Sequence, residues 1–487
     1  MKSVKILTLS AAVLCGASAA WAEAPKLKVY HDDEARDTVY SAKYYSIGVT
    51  TPGAKATIDG KECHVYKTGS FGAEIQLKPG LNEIPFTATL GSETATAVDR
   101  VFYETNRKAP AAKRTETTPL KWPKHLLTKE YAYLQFGNGA DRLGGSKMNY
   151  LPADVPLTAV GETSNLYQVM LGENDFAYVP KSSVTEGGPG AATVNTGSTS
   201  VTNTGKTDRI VVSLPQRLPF YTRSEIDPST ILVTLYGATN NTNWLTQRNT
   251  PGMIDFVDLR RDGADELTLV IRLKDEFQWG WSVDYEGNNL VIEVRHRPKS
   301  LNIKDLTIGL DAGHGGKYPG AVSPSGLTEK EVNLDIVLKA ADMLRKMGAK
   351  VVLTRDSDQG PSMTERKKTW LEGGVDLAVS VHNNASGNPL IPMGNSCYYK
   401  HISNRALANA LHQSMLKMKL ADFGLTGNFN FSLNGPTEYP NALVEVLFMS
   451  SLPEEELLAD PAYRTRLARG VVDGILDYLA QVRKSVK

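Results

Sequence analysis

Hydrophobic and polar residues alternate along much of the first 300 residues, which is the pattern of half-buried β-strands. The alternation runs from 25 to 107 and returns over 124–185 and 208–300. In the first of these ranges, turn-forming pairs separate the short runs: Pro52-Gly53, Asp59-Gly60 and Pro79-Gly80. Short strands with turns at this spacing predict three successive all-β modules.

The pattern changes at residue 304. Compact apolar runs such as "DLTIGLDA", "VDLAVSVH" and "NALVEVLF" now alternate with helical patterns, and Val332, Ile336 and Ala340 mark one apolar helix face. Buried strands that alternate with helices predict an α/β domain over 304–487, with a mostly parallel sheet flanked by helices. The predicted fold is therefore multidomain, with N-terminal all-β modules followed by this α/β domain.

Two segments lie outside these modules. Residues 186–207 are rich in Gly, Ser, Thr and Asn and lack a repeating apolar face, so we predict a flexible linker, with an ordered loop as the alternative. Residues 1–22 have two lysines, a short apolar run and an Ala-Trp-Ala ending, which predict a signal peptide. A retained membrane anchor is the alternative, although about 20 apolar residues are needed to span a bilayer.

Charge and cysteine content narrow the class of protein. Without the predicted signal, 52 basic residues stand against 53 acidic ones, so we expect no nucleic-acid partner. No later apolar run is long enough for an integral membrane segment. Cys63 and Cys397 fall in different predicted modules, which favours two free thiols over a disulfide.

Two histidines follow apolar runs of the α/β domain. His314 lies in "DAGHGG" after the first run, and His382 lies in "SVHNNA" after the third. Ligands of open α/β sheets collect at the carboxyl ends of the strands, so we expect both histidines to face one crevice. The glycines around His314 leave room for a bulky substrate.

Two acidic residues could join these histidines. Glu329 falls in the first turn of a predicted helix, where Thr328 and Glu331 fit a capping box. The alternative is that Glu329 only complements the positive end of the helix dipole. Glu445 interrupts the apolar run "NALVEVLF". A buried carboxylate needs a cation, a metal or a proton, and the alternative is an edge strand with Glu445 facing solvent.

These four residues meet the needs of metal-assisted hydrolysis. Two histidines and a glutamate leave a fourth position open on tetrahedral Zn²⁺, which lowers the pKa of water towards about 7. A second carboxylate can then accept the proton of the water and deliver it to the leaving nitrogen. The sequence thus predicts His314, Glu329 and His382 as zinc ligands and Glu445 as the catalytic base.

Five blocks in the order "DAGHGG", "TEKEVNL", "VVLTRDSD", "SVHNNA" and "NALVEVLF" resemble the zinc-dependent N-acetylmuramoyl-L-alanine amidases of the Amidase_3 type. That family cuts the amide between the muramic acid lactyl group and L-alanine in peptidoglycan. The resemblance implies the same zinc ligands, the same catalytic Glu445, a peptidoglycan substrate and a place in the periplasm or cell envelope. The chain departs from the family at Asn383, at Leu447 and at a missing arginine before the last strand.

The β modules carry further resemblances. Residues 25–107 resemble an immunoglobulin-like sandwich, and residues 124–185 resemble a bacterial SH3-like barrel. Residues 208–300 resemble the β-rich domains that precede wall amidases, which implies wall binding. Three tryptophans of this last module could stack on sugars or fill the core: Trp244, Trp279 and Trp281.

Other polar residues of the α/β domain are expected to have structural roles. We predict packing or surface roles for His401 and His412, and an ion-pair network of Arg355, Asp358 and Arg366. Only 62 residues separate His382 from Glu445, so we expect no inhibitory helix over the site. Two alternative functions stay open: a non-catalytic peptidoglycan-binding or regulatory protein with a relic amidase domain, and a zinc peptidase or deacetylase.

Overall fold

The computed structural model describes residues 24–30, 38–106, 116–139, 143–173 and 175–485. The predicted signal peptide over 1–22 lies outside these residues. Among the described residues, no helix combines the length and the apolar character needed to cross a bilayer. The chain divides into two compact units, one that ends at residue 105 and one that begins at residue 106.

The first unit consists of β-strands in two sheets. Its strands are β1 Leu27–Tyr30, β2 Thr38–Val39, β3 Lys43–Thr50, β4 Lys55–Ile58, β5 Lys61–Cys63, β6 Ser70–Gln76, β7 Gly80–Leu90 and β8 Glu93–Tyr103. One sheet has the order β1-β3-β6 and the other β2-β8-β7-β4-β5. Alternate residues turn inward, so that Ile58, Phe71 and Phe86 form a fully buried core.

The second unit begins with a seven-stranded antiparallel sheet. Its strands are β9 Thr118–Thr128, β10 Ala132–Gln135, β11 Lys147–Leu151, β12 Pro156–Glu162, β13 Leu166–Met170, β14 Phe176–Pro180 and β15 Val184–Glu186. Their order is β11-β10-β14-β13-β12-β9-β15. The sheet is formed by the region that we predicted to be an SH3-like barrel, and the resemblance to such a barrel stays a prediction.

Eleven further strands precede the α/β domain: β16 Val194–Asn195, β17 Thr199–Asn203, β18 Thr207–Val212, β19 Phe220–Ile226, β20 Ser229–Tyr236, β21 Ala238–Thr239, β22 Leu245–Gln247, β23 Ile254–Arg261, β24 Glu266–Leu273, β25 Trp281–Glu286 and β26 Asn289–Arg295. They form a five-stranded sheet, β22-β17-β18-β26-β25, a four-stranded sheet, β19-β20-β24-β23, and the pair β16-β21. Side chains of these strands share one hydrophobic cluster with the preceding sheet.

The prediction of a flexible linker over 186–207 is wrong. Strand β17 pairs with β18 and β22, and Thr196, Thr199 and Val201 are buried. The segment is ordered with few large apolar residues because some of its threonines are buried and hydrogen-bonded. The Thr242 hydroxyl, for example, donates to the Gly197 carbonyl (2.7 Å) and lies 2.9 Å from the Thr196 hydroxyl.

The α/β domain contains strands β27 Thr307–Ala312, β28 Lys350–Leu353, β29 Leu377–Asn384, β30 Asn395–Tyr398, β31 Asp422–Thr426 and β32 Asn441–Phe448. Its helices are α1 Glu329–Lys346, α2 Met363–Glu372, α3 Arg405–Lys417, α4 Leu452–Ala459 and α5 Pro461–Ser485. The sheet order is β28-β27-β29-β32-β30-β31. The first four strands are parallel, and β30 and β31 run in the opposite direction. Strand β32 is buried along its whole length, as expected for a strand covered on both faces.

A tryptophan from the region before the α/β domain belongs to the core of that domain. Trp279 is fully buried and stacks on Tyr478 of α5 with ring centres 6.1 Å apart. Trp281 is also buried, with its ring edge towards His401. Trp244, in contrast, is 72% exposed. Two of the three tryptophans that we considered as sugar platforms are therefore core residues.

We predict that Trp279→Ala lowers the free energy of unfolding by about 3–5 kcal/mol, because it removes a large buried ring from a close-packed core. The matched control is Trp244→Ala, which removes an exposed ring and should change stability by less than about 0.5 kcal/mol. Denaturant unfolding followed by circular dichroism measures both values. Equal effects of the two substitutions would contradict the packing that we describe.

Candidate metal centre

Three of the four predicted site residues lie together at the carboxyl ends of β27 and β29. One possible ligand atom from each of His314, Glu329 and His382 lies within 4.8 Å of the other two. The two imidazole rings are 4.9 Å apart and nearly perpendicular. Glu329 joins them, because Oε2 lies 3.1 Å from Nε2 of His314 and Oε1 lies 3.0 Å from Nδ1 of His382.

The loop after β27 has the backbone shape that this cluster requires. His314 has a φ of 62°, which is uncommon for a residue with a side chain. A side-chain carbon on Gly313 would overlap the ring of His382, and one on Gly320 would overlap both Glu329 and His314. Glycine is therefore needed at 313 and 320 because the ligand side chains occupy the space of a Cβ atom.

Glu329 is the first residue of α1, as predicted from the sequence. The Thr328 side chain does not cap the helix backbone; its hydroxyl donates instead to Oε2 of Glu331 at 2.6 Å. The predicted capping box is therefore not formed. The backbone N–H of Ala321 donates to Oε2 of Glu329 at 2.9 Å and ties the preceding loop to the same carboxylate.

The electrostatics of the cluster favour a cation. Burial opposes ionisation of Glu329, but hydrogen bonds from His314 and His382 outweigh it and hold the pKa of this carboxyl well below its usual range. Burial also lowers the pKa of His382, yet the hydrogen bond to Glu329 and the nearby carboxylates raise it overall to about 9. The same negative charge would attract a divalent metal.

A buried ion pair supports the loop that carries His314. Nη1 of Arg366 donates to Oδ1 of Asp311 (2.6 Å), and its Nη2 donates to the carbonyl of His314 (2.6 Å). Burial raises the pKa of Asp311, but Arg366 and the hydroxyls of Ser380 and Thr354 lower it below its usual range. Arg366 thus connects the end of β27 to α2.

The rest of the predicted ion-pair network differs in its partners. Among the described residues Arg355 forms no ion pair with an acid, and it donates instead to the carbonyls of Ala312 and Gly313 at 2.8 and 3.0 Å. Asp358 accepts from Lys330 (2.7 Å) and from the backbone N–H of Gly316 (2.8 Å). These contacts hold the glycine-rich loop after β27 in place.

Sequence reasoning gave no site role to two asparagines that lie beside the cluster. Nδ2 of Asn333 lies 3.2 Å from Oε1 of Glu329, and Asn383 donates to Oδ1 of Asn333 at 2.8 Å. The backbone N–H of Asn383 also donates to Glu329, at 3.2 Å. Asn333 stands four residues after Glu329, within the otherwise apolar helix face around Val332 and Ile336, and that position was the available signal.

Glu445 lies in the interior of the sheet. It is only 8% exposed, and β32 is paired on both sides, so the alternative of a solvent-facing edge strand is wrong. In the strand register Glu445 stands opposite His382, about 4.8 Å away in backbone terms. Asn395 of β30 donates to the Glu445 carbonyl at 2.8 Å. Glu445 is thus next to His382 on the neighbouring strand, and the other two site residues contact one another and His382.

The remaining histidines have structural contacts. His412 is buried in α3 between Oδ1 of Asn395 (2.8 Å) and Oδ1 of Asp422 (3.0 Å). His401 faces the Gly435 carbonyl at 2.9 Å. Helix α3, which lies between His382 and Glu445 in the chain, buries its apolar face in the domain core.

The two β regions of the second unit contact the segment that leads into β32. Oδ1 of Asn430 accepts from the backbone of Lys147 at 3.0 Å, and its Nδ2 donates to the Gly145 carbonyl at 2.8 Å. Further along, the backbone N–H of Trp281 donates to the Thr437 carbonyl at 2.8 Å, and the Thr437 hydroxyl donates back at 2.8 Å. The segment that precedes the strand of Glu445 is therefore held by hydrogen bonds to these β regions.

Comparison with known proteins gives one family. Residues 308–477 match the family described as N-acetylmuramoyl-L-alanine amidase. The germination-specific N-acetylmuramoyl-L-alanine amidase of Bacillus subtilis is 30% identical over 202 residues, which are 38% of this chain and 84% of that protein. The probable cell wall amidase LytH of Staphylococcus epidermidis is 30% identical over 205 residues, 41% of this chain and 67% of that protein.

A similar solved structure is the catalytic domain of CwlV, an N-acetylmuramoyl-L-alanine amidase from Bacillus (Paenibacillus) polymyxa var. colistinus. It is 34% identical, covers 36% of this chain and 98% of its own, and has a TM-score of 0.34. The residues that match the family, 308–477, include the His-Glu-His cluster.

We predict that Gly313→Ala weakens metal binding about 10- to 100-fold, the usual scale for a change that reorients a ligand. The new methyl group would displace the ring of His382. The control is Gly137→Ala, where a Cβ has no neighbour within 4 Å. Titration against a chromophoric chelator measures both affinities, and unchanged affinity in Gly313→Ala would count against this geometry.

Proposed function

Because the chain belongs to the N-acetylmuramoyl-L-alanine amidase family, we propose that it hydrolyses the amide between N-acetylmuramic acid and L-alanine in peptidoglycan. The observation that carries this proposal is the His314, Glu329 and His382 cluster, with Glu445 on the adjacent strand. A relic domain would have no reason to keep four such residues, the glycines that make room for them and the buried contacts around them.

We propose that the cofactor is Zn²⁺ and that the three clustered residues hold it. Two imidazoles and one carboxylate are a frequent ligand set of catalytic zinc, and they leave a position open for water or substrate. Bound zinc supplies Lewis acidity, which makes water more acidic and polarises an amide carbonyl. The contacts of Glu329 with Ala321, Asn333 and Asn383 orient its carboxylate for this role.

Glu445 is the proposed general base. Its carboxylate accepts a proton from the attacking water as the carbon–oxygen bond forms, and it returns that proton to the amide nitrogen as the carbon–nitrogen bond breaks. The products are the lactyl carboxylate and a peptide with a free amino terminus. Burial in the middle of the sheet supports this role, because it keeps the carboxylate fixed beside His382.

The cellular place follows from the substrate. The relatives named as cell wall amidases and the signal-like pattern of residues 1–22 support export to the periplasm or cell envelope. We propose that the predicted modules at 25–107, 124–185 and 208–300 serve wall binding or spacing. The exposed Trp244 remains the candidate among the three tryptophans for stacking on a sugar.

Digestion of purified sacculi tests the activity. We expect soluble peptides that begin with L-alanine, identified by mass spectrometry, and we expect a metal chelator to abolish their release until zinc is restored. Release of other fragments, such as cleaved stem peptides or deacetylated sugars, would favour a zinc peptidase or deacetylase. Binding to sacculi without any release would favour a non-catalytic wall protein.

We predict that Glu445→Gln lowers kcat by about 10²–10⁴-fold, the usual contribution of a proton-transfer group, and that the metal content stays at the wild-type level. Glu372→Gln on the exposed end of α2 is the matched control and should keep full activity. Turnover is measured by dye release from labelled sacculi and metal content by atomic emission. Full turnover in Glu445→Gln would show that another group is the base.

A further inference from the structure

The loop between His314 and Glu329 exposes a lysine and a tyrosine next to the cluster. Tyr318 is 57% exposed, and Nζ of Lys317 lies 5.2 Å from the centre of its ring. A cation at this distance from a ring face is attracted by the ring quadrupole. The loop therefore exposes an aromatic ring and a positive charge that lie next to each other.

This loop is fixed on both sides. The backbones of Gly315 and Tyr318 bond to each other in both directions, at 3.0 and 3.1 Å. Nζ of Lys330 donates to the Gly316 carbonyl (2.9 Å), and the backbone N–H of Lys330 donates to the Pro319 carbonyl (2.9 Å). An exposed ring on a rigid backbone loses little conformational entropy when it binds a ligand.

The loop also reaches the cluster directly. Gly320, two residues after Tyr318, packs against Glu329 and His314, and Ala321 donates its N–H to Glu329. The exposed pair therefore stands in the same short loop as residues that contact the cluster. In the proposed reaction the neighbouring part of the substrate is the stem peptide or the muramic acid ring.

The other cations of this region are already engaged. Lys330 pairs with Asp358, Arg366 pairs with Asp311, and Arg355 donates to backbone carbonyls. Within the described part of the chain, Lys317 has no carboxylate within ion-pair distance. Its positive charge is therefore available to pair with an anionic group of a substrate.

We propose that Lys317 and Tyr318 form a subsite that selects stem peptides with a free carboxylate on the residue after L-alanine. Lys317 pairs with that carboxylate, and the ring of Tyr318 covers the apolar side of the same peptide. This proposal rests on the amidase activity proposed above and specifies the substrate. It predicts that peptidoglycan with an amidated second residue is cut more slowly.

The test compares two synthetic forms of N-acetylmuramoyl-L-alanyl-D-glutamate whose γ-carboxyl is blocked as a methylamide, one with a free α-carboxylate and one with that carboxyl amidated. We expect the zinc-loaded wild-type protein to have a kcat/KM about three- to fivefold higher for the carboxylate, the scale of a partly solvated ion pair. Lys317→Met should remove this preference mainly through KM, and Lys317→Glu should reverse it. Lys346→Met, at the far end of α1, is the control and should keep the wild-type ratio.

The aromatic half of the subsite is tested separately. Tyr318→Ala should raise KM about three- to tenfold for both substrates, whereas Tyr318→Phe keeps the ring and should restore the wild-type KM. Calorimetric binding of both ligands to Glu445→Gln gives the same comparison without turnover. Zinc content, measured on every variant, shows whether the neighbouring ligands still hold the metal.

The outcomes separate the two proposals. If the wild-type protein neither cuts nor binds either substrate while zinc is bound, the proposed function fails and the subsite fails with it. If it cuts both substrates equally, or if Lys317→Glu lowers both rates equally, the amidase proposal stands and the subsite is wrong. A preference that reverses with the charge at 317 supports the subsite.

Discussion

The carboxylate of Glu329 is the constraint on which the site depends. Each of its oxygens faces one histidine, and backbone and amide donors also contact the carboxylate. Because the histidines come from β27 and β29 and the carboxylate from α1, one small group sets the positions of a loop, a strand and a helix. Any shift of the first turn of α1 must disturb both imidazoles at once.

Such a cluster needs support, since like-charged or polar groups held together out of water are costly. The support comes from a second layer that does not face the crevice. Arg366 bonds Asp311 and the backbone of His314, and Asn383 connects Asn333 to the strand of His382. Asn383 is one of the departures from the family pattern, and these contacts give it a clear structural role.

Much of the site could be predicted from sequence because each of its residues has a recognisable position within a short stretch of the chain. His314 and His382 end apolar runs, Glu329 starts a helix, and parallel strands bring their carboxyl ends to one edge. The missed features depend on partners far away in the chain. The burial of Thr199, the reversed direction of β30 and the insertion of Trp279 beside Tyr478 arise from neighbours that periodicity does not reveal.

The stacking of Trp279 on Tyr478 also bears on how this architecture can change over evolutionary time. A catalytic domain whose interior borrows a ring from the preceding segment cannot be recombined freely with other modules. Gene fusions that join at residue 301 would leave α5 with an uncovered aromatic surface, which invites aggregation. A recombination that preserves the fold must therefore keep the segment around Trp279 together with the α/β domain. The part of the chain that has to be exchanged as one piece is larger than the residues that match the family.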